Sequence, residues 1–241
     1  MKSNTSHPSL SIILLCYKSG AGIIEYVNTL IHALYQGGIS DFEIILVCNY
    51  IRGEEDKTSA ICFSISEKDD KISTIHLPKE GGMGWDLKRG LERAEGDYVC
   101  LIDGDGQIPV ESVSTLYKQM IIEQADLAKI YRRERQDGTW RVFMSYIYNK
   151  FFKLLYPCNF EILDINGKPK IIKKSILNMM HLTSDDWFID AEIMLEANRL
   201  NIKILQIPSY FLENKSRKSL VSVETVIEFI INLLKFRKRY Q

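Results

Sequence analysis

The feature that most constrains the fold of this chain is a short apolar run, residues 98–102, which ends abruptly at Asp103 and Asp105. A continuous apolar run is typical of a strand buried on both faces, as in sheets that are covered by helices. The two carboxylates and Gln107 then lie at the carboxyl end of a strand, where ligands bind in open α/β sheets. Oxygen donors in this pattern suit Mg²⁺ or Mn²⁺ carrying a diphosphate, although a polar turn after a core strand is the alternative.

Strands and helices are predicted to alternate along the rest of the chain. Further strands are predicted over residues 10–16, 42–48, 71–77, 126–131 and 203–207. Helices are predicted over residues 23–35, 58–66, 84–94, 110–123, 140–156 and 185–200. This alternation predicts βαβ units and a largely parallel sheet. We expect one domain over residues 9–220, preceded by a flexible N-terminus of residues 1–8.

Composition narrows the class of protein without specifying a function. The chain has 241 residues, 46% of them hydrophobic, which is enough to bury a sizeable core. Lys plus Arg equals Asp plus Glu at 31 each, so no global field favours nucleic acid as a partner. The five cysteines are scattered without a Cys-x-x-Cys pair, which indicates free thiols in a reducing compartment. Because the polar N-terminus lacks the apolar core of a secretion signal, we expect a cytoplasmic protein.

The C-terminal residues 221–241 are predicted to form an amphipathic helix with a basic end. Its apolar stripe is followed by Lys235, Arg237, Lys238 and Arg239. Such a helix suits the plane of a membrane surface, which predicts a protein peripheral to the inner face of the membrane. Packing of the stripe against the domain is the more common arrangement and is the alternative.

Three segments at fixed mutual spacing resemble the inverting family 2 glycosyltransferases. They are Gly82-Met83-Gly84 through Gly90, Gly96-Asp97, and Asp103-Gly104-Asp105-Gly106-Gln107-Ile108-Pro109. The order is similar to that in the branch of dolichol-phosphate mannose synthases and related polyprenyl-phosphate sugar transferases. The middle of the chain is also similar to that branch, at Arg132, Arg141, Ser145, Asn149 and residues 164–170.

The resemblance implies a GT-A type fold, a Rossmann-like α/β/α sandwich that holds a nucleotide-sugar in residues 9–109 and an acceptor in residues 110–220. It implies Mn²⁺ or Mg²⁺ as cofactor, with Asp105 as a direct ligand, Gln107 assisting, and Asp103 binding metal or ribose. The residues implied for nucleotide-sugar binding are Tyr17, Asn49, Gly82, Gly84 and Asp103.

The chain departs from the family pattern after its first two strands. Tyr17-Lys18-Ser19 stands where members usually have a Tyr-Asn-Glu-like segment, and Asn49 stands in place of an acidic segment. An acidic partner for the nucleotide base is therefore missing, although the Asn49 carbonyl remains a possible acceptor. The identity of the base is left open.

Basic and acidic residues in the second half are candidates for acceptor binding and for a general base. Phosphate binding is predicted for Arg132, Arg133, Arg141, Arg217 and Lys218, with a solvated basic face as the alternative. Asp190 and Glu192 are candidate bases, whereas Asp185 or Asp186 is a candidate helix cap. A lipid phosphate needs no strong base because its oxygen is already anionic, while a sugar hydroxyl does need one.

The sequence therefore predicts a metal-dependent inverting glycosyltransferase that uses a nucleoside diphosphate-sugar. The predicted acceptor is polyprenyl phosphate or a cell-surface glycan precursor. Two alternatives remain open. A nucleotidyltransferase would carry a basic glycine-rich loop after its first strand, where residues 17–22 supply only Lys18 and two glycines. A non-catalytic nucleotide-sugar-binding regulator would bind the donor without transferring the sugar.

Overall fold

A seven-stranded sheet with helices on both faces organises the computed structural model, which describes residues 8–136, 138–212 and 231–237. The strands are β1 (Leu10–Leu15), β2 (Phe42–Val47), β3 (Ile72–Ile75), β4 (Tyr98–Asp103), β5 (Leu127–Arg135), β6 (Lys170–Lys173) and β7 (Ile204–Phe211). The helices between them are α1 (Gly22–Gln36), α2 (Thr58–Ser66), α3 (Met83–Arg93), α4 (Glu111–Ile122), α5 (Thr139–Leu155), α6 (Lys174–Leu177) and α7 (Ile189–Arg199).

The strand order is β3-β2-β1-β4-β6-β5-β7, and β6 alone among these strands runs antiparallel to its neighbours. The remaining pairs are parallel, so the predicted mostly parallel sheet is confirmed. In the register of β1, Leu15 lies opposite Val47 on one side and Asp103 on the other. The carboxyl ends of three strands therefore meet at one edge, as the sequence pattern requires.

Both faces of the central strands are buried, which explains their continuous apolar runs. Ile12 packs into the cluster that contains residues of α1, α2 and α4. Its neighbour Ile13 points to the opposite face and packs with Leu87 of α3 and Ile193 of α7. Successive side chains of a strand alternate between its two faces. A strand with polar residues on one face would place them against one of the two helix layers, so both faces have to be apolar.

A third apolar cluster joins α5 to α7 beside the sheet. It contains Tyr148 and Phe152 of α5, Met194 of α7 and Leu233 from the helical residues 231–237. The Tyr156 hydroxyl donates a hydrogen bond to the Leu233 carbonyl oxygen at 2.5 Å. The C-terminal segment thus packs on the domain where it is described, whereas the rest of the predicted helix over 221–241 lies outside the described residues. Among the described residues, no helix has the length and apolarity needed to cross a membrane.

Several boundaries differ from the sequence prediction. Strand β5 continues to Arg135 because β7 pairs with it as far as Phe211, so Arg132 and Arg133 lie within the strand. Strand β6 was not predicted, since only two apolar residues separate its terminal lysines. Helix α7 begins at Ile189 rather than at residue 185. Tertiary pairing decides the strand ends, and local apolar patterns do not contain that information. The five cysteines are free thiols, as predicted.

Candidate functional site

The predicted acidic motif forms a tight turn at the edge where β1, β2 and β4 end. Asp103 is the last residue of β4, and the Gly104 amide donates to the Leu15 carbonyl oxygen at 2.9 Å. The Gln107 amide then donates to Asp105 Oδ1 at 3.1 Å. Gly106, with φ of +73°, takes the left-handed backbone conformation between them, which a side chain would strain. The turn holds both carboxylates, each partly exposed, at the edge where the carboxyl ends of the strands meet.

A cleft of about 400 Å³ opens beside this turn, between the start of α1 and residues 104–111. Polar groups lining it include Asp105, Glu25 and Glu111. Burial raises the pKa of Tyr26, another lining residue, and the negative charges of Asp105 and Asp103 raise it further. This side of the site therefore has a negative field, which suits a cation.

The donor set fits a hard divalent cation that shares its coordination with a diphosphate. No group of three or more His, Cys, Asp or Glu side chains capable of holding a metal occurs in the part of the chain that is described. Mg²⁺ is commonly held by one or two carboxylates together with substrate phosphates, and Asp103 and Asp105 supply that number. The Gln107 amide nitrogen instead donates to the Leu212 carbonyl oxygen at 3.0 Å. Gln107 thus ties the turn to the end of β7, and its predicted role as a ligand remains a prediction.

Two lysines, Lys168 and Lys170, belong to a charge network that reaches Asp103 of the acidic turn. The sequence did not identify them as site residues. Lys168 Nζ lies 2.7 Å from Asp103 Oδ1 and 3.4 Å from Asp190 Oδ2. Lys170 Nζ, which is fully buried, lies 2.5 Å from Asp190 Oδ1. Burial favours the neutral forms of Asp190 and of both lysines. The two lysines nevertheless lower the pKa of Asp190, and Asp103 and Asp190 raise that of Lys168. Lys168 thus holds the Asp103 carboxylate in place, and its lowered pKa makes Asp190 a weak base.

Arg132, predicted to bind phosphate, has its guanidinium in a two-pronged ion pair with a neighbouring carboxylate. Its Nε and Nη2 donate to the two oxygens of Asp164 at 2.6 and 2.8 Å. Lys129 is buried beside them and donates to the carbonyl oxygens of Asp164 and Ile130. Burial lowers the pKa of Lys129 to about 7, against the opposing effect of Asp164. We therefore propose that Arg132 anchors residue 164, whereas the neighbouring Arg133 is exposed.

Glu192, predicted as a candidate base, is fully buried and holds residues 183 and 184. Its Oε2 accepts hydrogen bonds from the backbone amides of Thr183 and Ser184 at 2.9 and 2.8 Å. Its Oε1 accepts a hydrogen bond from the Thr183 hydroxyl at 2.8 Å. Because both oxygens are engaged, we propose that Glu192 positions this segment and assign it no proton-transfer role. Asp186 is engaged similarly, since its Oδ1 accepts from the Ser184 hydroxyl and from the Phe188 amide in the turn before α7. The N-cap of α7 is Phe188, which has no side-chain cap hydrogen bond, so the predicted capping by Asp186 is not observed.

The glycines predicted to approach the nucleotide are instead approached by the protein's own backbone. An added Cβ at Gly84 would lie 2.4 Å from the Ser184 carbonyl oxygen, and one at Gly82 would lie 3.0 Å from that of Asp185. The Gly84 and Trp85 amides donate to the carbonyl oxygens of Asp186 and Asp185, both at 3.1 Å. These amides at the start of α3 are already used, so the structure gives Gly82 and Gly84 a packing role.

We expect Gly84→Ala to lower the free energy of unfolding by about 1–3 kcal/mol, because the new methyl group would overlap a backbone oxygen that cannot turn away. Gly22→Ala at the start of α1 is the control, since nothing lies within 4 Å of its added Cβ. Urea denaturation of both variants would measure the difference. Equal stability of the two variants would contradict a packing role for Gly84.

Asn49, predicted to contact the base, has both polar groups engaged within the protein. Its Nδ2 donates to Asp86 Oδ1 at 2.8 Å, and its Oδ1 accepts from the Leu77 amide at 2.8 Å. Asp86 also forms an ion pair with Lys79, whose Nζ lies 4.5 Å from the ring centre of Tyr17. The acidic group near the end of β2 therefore comes from α3, and the Tyr17 ring lies against the lysine that pairs with it. A role of Tyr17 in donor binding stays a prediction.

The remaining basic candidates are only partly placed. Arg141 is half-buried in the first turn of α5, whose Asn149 accepts a hydrogen bond from the Ile165 amide at 3.0 Å. This bond ties α5 to the segment that carries Lys168. Arg217 and Lys218 lie outside the described residues.

Comparison with known proteins agrees with this geometry. Residues 11–179, more than half of the chain, match the family model for glycosyl transferase family 2. Glycosyltransferase GlyG of Streptococcus pneumoniae is 25% identical over 81% of this chain and 67% of its own length. Undecaprenyl-phosphate 4-deoxy-4-formamido-L-arabinose transferase of Pseudomonas aeruginosa is 27% identical over 58% of this chain, which spans 40% of that relative.

A solved structure extends the comparison to the fold. Glucosyl-3-phosphoglycerate synthase of Mycobacterium tuberculosis, crystallised with Mn²⁺, UDP and glucosyl-3-phosphoglycerate, superposes with a TM-score of 0.74 at 16% identity. The match covers 97% of this chain and 81% of the synthase. At this identity the likeness concerns the fold, and it confirms the predicted GT-A architecture. The family model matches more than half of the chain, and the sandwich fold and the acidic turn at the strand ends agree with it. The chain therefore belongs to glycosyl transferase family 2.

Proposed function

We propose that this glycosyltransferase moves a sugar from a nucleoside diphosphate donor to the phosphate group of a polyprenyl phosphate. The proposal includes Mn²⁺ or Mg²⁺ bound by Asp103 and Asp105, and inversion at the anomeric carbon by in-line attack. When bound, the cation supplies positive charge against the departing diphosphate. Support for the donor class comes from family membership and from the acidic cleft at the strand ends.

The observation that carries the acceptor class is the engagement of both candidate bases. Asp190 is buried between Lys168 and Lys170, and Glu192 accepts three hydrogen bonds from residues 183 and 184. A sugar hydroxyl needs a base within hydrogen-bond reach, whereas a phosphate monoester arrives already anionic. The acceptor class named for the Pseudomonas aeruginosa relative is of this kind. An anionic acceptor needs positive charge, for which we propose Arg141 on α5 and the exposed Arg133 on β5.

Lys168 has a supporting role in this proposal. Its ammonium group lies between the Asp103 and Asp190 carboxylates, so it holds Asp103 in one orientation and offsets the repulsion between the two anions. A carboxylate positioned beforehand loses less conformational freedom when a ligand binds. We therefore treat Lys168 as a positioning residue for the metal and donor site.

Two measurements test the proposal. Calorimetric titration of UDP and GDP, with and without Mn²⁺, is expected to give metal-dependent binding of one nucleotide. Transfer from the corresponding nucleotide-sugar is then compared between a short-chain polyprenyl phosphate and the polyprenol of the same chain length. We expect product from the phosphate and none from the alcohol.

Other outcomes would change the assignment. Transfer to the polyprenol, or to a sugar hydroxyl, would contradict the acceptor class and require a base. Donor binding without transfer or donor hydrolysis would favour the non-catalytic regulator. Family membership already argues against the nucleotidyltransferase alternative.

A further inference from the structure

Helix α5 carries a row of large apolar side chains on its outer surface. Trp140, Phe143, Phe151 and Leu154 have exposures of 65%, 52%, 46% and 77%. Their spacing places them along one side of the helix, with the half-buried Ile147 between them. The rings of Trp140 and Phe143 lie 6.0 Å apart, so the row begins with a contiguous aromatic surface. Scattered exposed apolar residues are ordinary, but a continuous row of them indicates a binding surface.

This row is not the side by which α5 packs on the domain. An adjacent side of the helix supplies Tyr148 and Phe152, which are buried against α7 and Leu233. Helix α5 is therefore apolar on two sides, and one of them is satisfied within the chain. The second side is the one that remains available to an apolar partner outside the described chain.

Charge distinguishes this surface from the rest of the molecule. Helix α5 contains Arg141, Lys150 and Lys153 and no acidic residue. The helical residues 231–237, which pack beside α5 through Leu233, add Lys235 and Arg237, again without an acid. Ile231 and Leu234 of this segment are also exposed. Glu161 lies 3.9 Å from Lys153 at the end of α5, but the basic residues outnumber it, so in a chain whose charges balance the surface is locally basic as well as apolar.

We propose that the outer sides of α5 and of residues 231–237 dock on the surface of an anionic phospholipid bilayer. Aromatic and aliphatic side chains would enter the boundary between headgroups and acyl chains, while the long lysine side chains keep their ammonium groups at the phosphates. The exposed Lys150 and Lys153 lie among the apolar residues in the way this arrangement requires. The basic charge selects a lipid surface over an uncharged protein partner.

The inference rests on the proposed function in one respect, the membrane location of a polyprenyl phosphate. Helix α5 also carries Arg141, and its Asn149 accepts a hydrogen bond from the Ile165 amide, close to the segment of Lys168. The docking surface and the candidate site thus share one helix. Docking by this surface would present the acceptor side of the site to the lipid.

Vesicle flotation of the full chain tests the proposal. Wild type is mixed with vesicles of phosphatidylcholine and phosphatidylglycerol at a ratio of about 7:3, or of phosphatidylcholine alone, a contrast that isolates the charge effect. We expect binding to the anionic vesicles that weakens at high salt. The double variant Trp140→Ser/Leu154→Ser should bind at least about tenfold more weakly, because two inserted apolar groups are lost. Ile122→Ser is the matched control, since Ile122 is 69% exposed on α4, outside this surface.

Other results of these experiments would overturn the proposal or assign the surface to another partner. Absence of wild-type binding, or equal binding of wild type and the double variant, would overturn the proposal. A dimer that dissociates in the double variant, seen by light scattering, would assign the surface to a second copy of the chain. Nucleotide titration of the same proteins without lipid separates the two proposals. If wild type does not bind the nucleotide, the proposed function is refuted while the flotation result still stands.

Discussion

Asp105→Asn is expected to abolish metal-dependent nucleotide binding and to lower the rate of sugar transfer by roughly 10²–10³-fold. Asp105 lines the cleft beside the strand ends, and only one other carboxylate of the motif lies at this turn. An amide of the same shape keeps the turn but removes the charge that holds a cation. Calorimetric titration of the nucleotide with Mn²⁺, followed by a transfer assay, measures both effects.

The control for this variant is Glu92→Gln, which removes one carboxylate from the exposed face of α3. Glu92 pairs with Arg89 three residues earlier and is 59% exposed, so its loss should leave binding and stability nearly unchanged. Asp105→Asn with wild-type affinity for the nucleotide in Mn²⁺ would contradict the site. A loss of thermal stability in Asp105→Asn, but not in the control, would indicate damage to the turn instead.

The sequence was sufficient to predict the sheet and the edge that carries the site. Strands β1, β2 and β4 are largely apolar, with only Ser11 and Glu43 interrupting the first two, and such runs indicate burial on both faces. The turn after β4 follows directly from its glycines and acids. These features are local, which is why they can be read before the fold is known.

What the sequence could not give is the pairing of charges across the chain. Lys168 and Asp103 are separated by 65 residues, and Lys129 and Asp164 by 35. In the sequence a lysine within a short strand resembles a solvated edge position, and β6 was missed for that reason. Only the packing of α7 and residues 164–170 against β5 and β6 shows which of these charges are buried and paired.

The same long-range contacts change how the predicted residues are interpreted. Arg132, Asn49 and Glu192 were each selected for a chemical group that a ligand would use. In the structure, Asp164, Asp86 and Thr183 respectively take those groups. A residue type suited to a ligand is equally suited to a buried partner, and sequence gives no exposure with which to choose.

Two buried lysines near the site lie side by side, and each needs an oxygen acceptor within the protein. Lys129 and Lys170 lie directly opposite each other on β5 and β6, an arrangement that is unfavourable by itself. Asp190 from α7 accepts from Lys170, and the carbonyl oxygen of Asp164 accepts from Lys129. The position of Asp103 thus depends on α7 through Lys168, which links the stability of the second half to the geometry of the site.

Lys170→Met is expected to lower the free energy of unfolding by about 3–5 kcal/mol, because it leaves Asp190 buried with one of its two cations removed. For a chain of this size the melting temperature should fall on the order of 10 °C. Lys173→Met on the same strand is the control, since Lys173 pairs with Asp126 at a site that is 30% exposed and should cost about 1 kcal/mol or less. Denaturation by urea and by heat measures both.

The double variant Lys170→Met/Asp190→Leu distinguishes a broken ion pair from a damaged strand. Removing both charges should restore part of the lost stability, so the double variant is expected to be more stable than the sum of the single changes predicts. Acid adds a second readout. In wild type the lysines lower the pKa of Asp190, so its contribution is present above the unfolded pKa and is lost as the pH falls through the folded one. In Lys170→Met that loss should begin at a higher pH, and an unchanged acid transition would contradict the pairing.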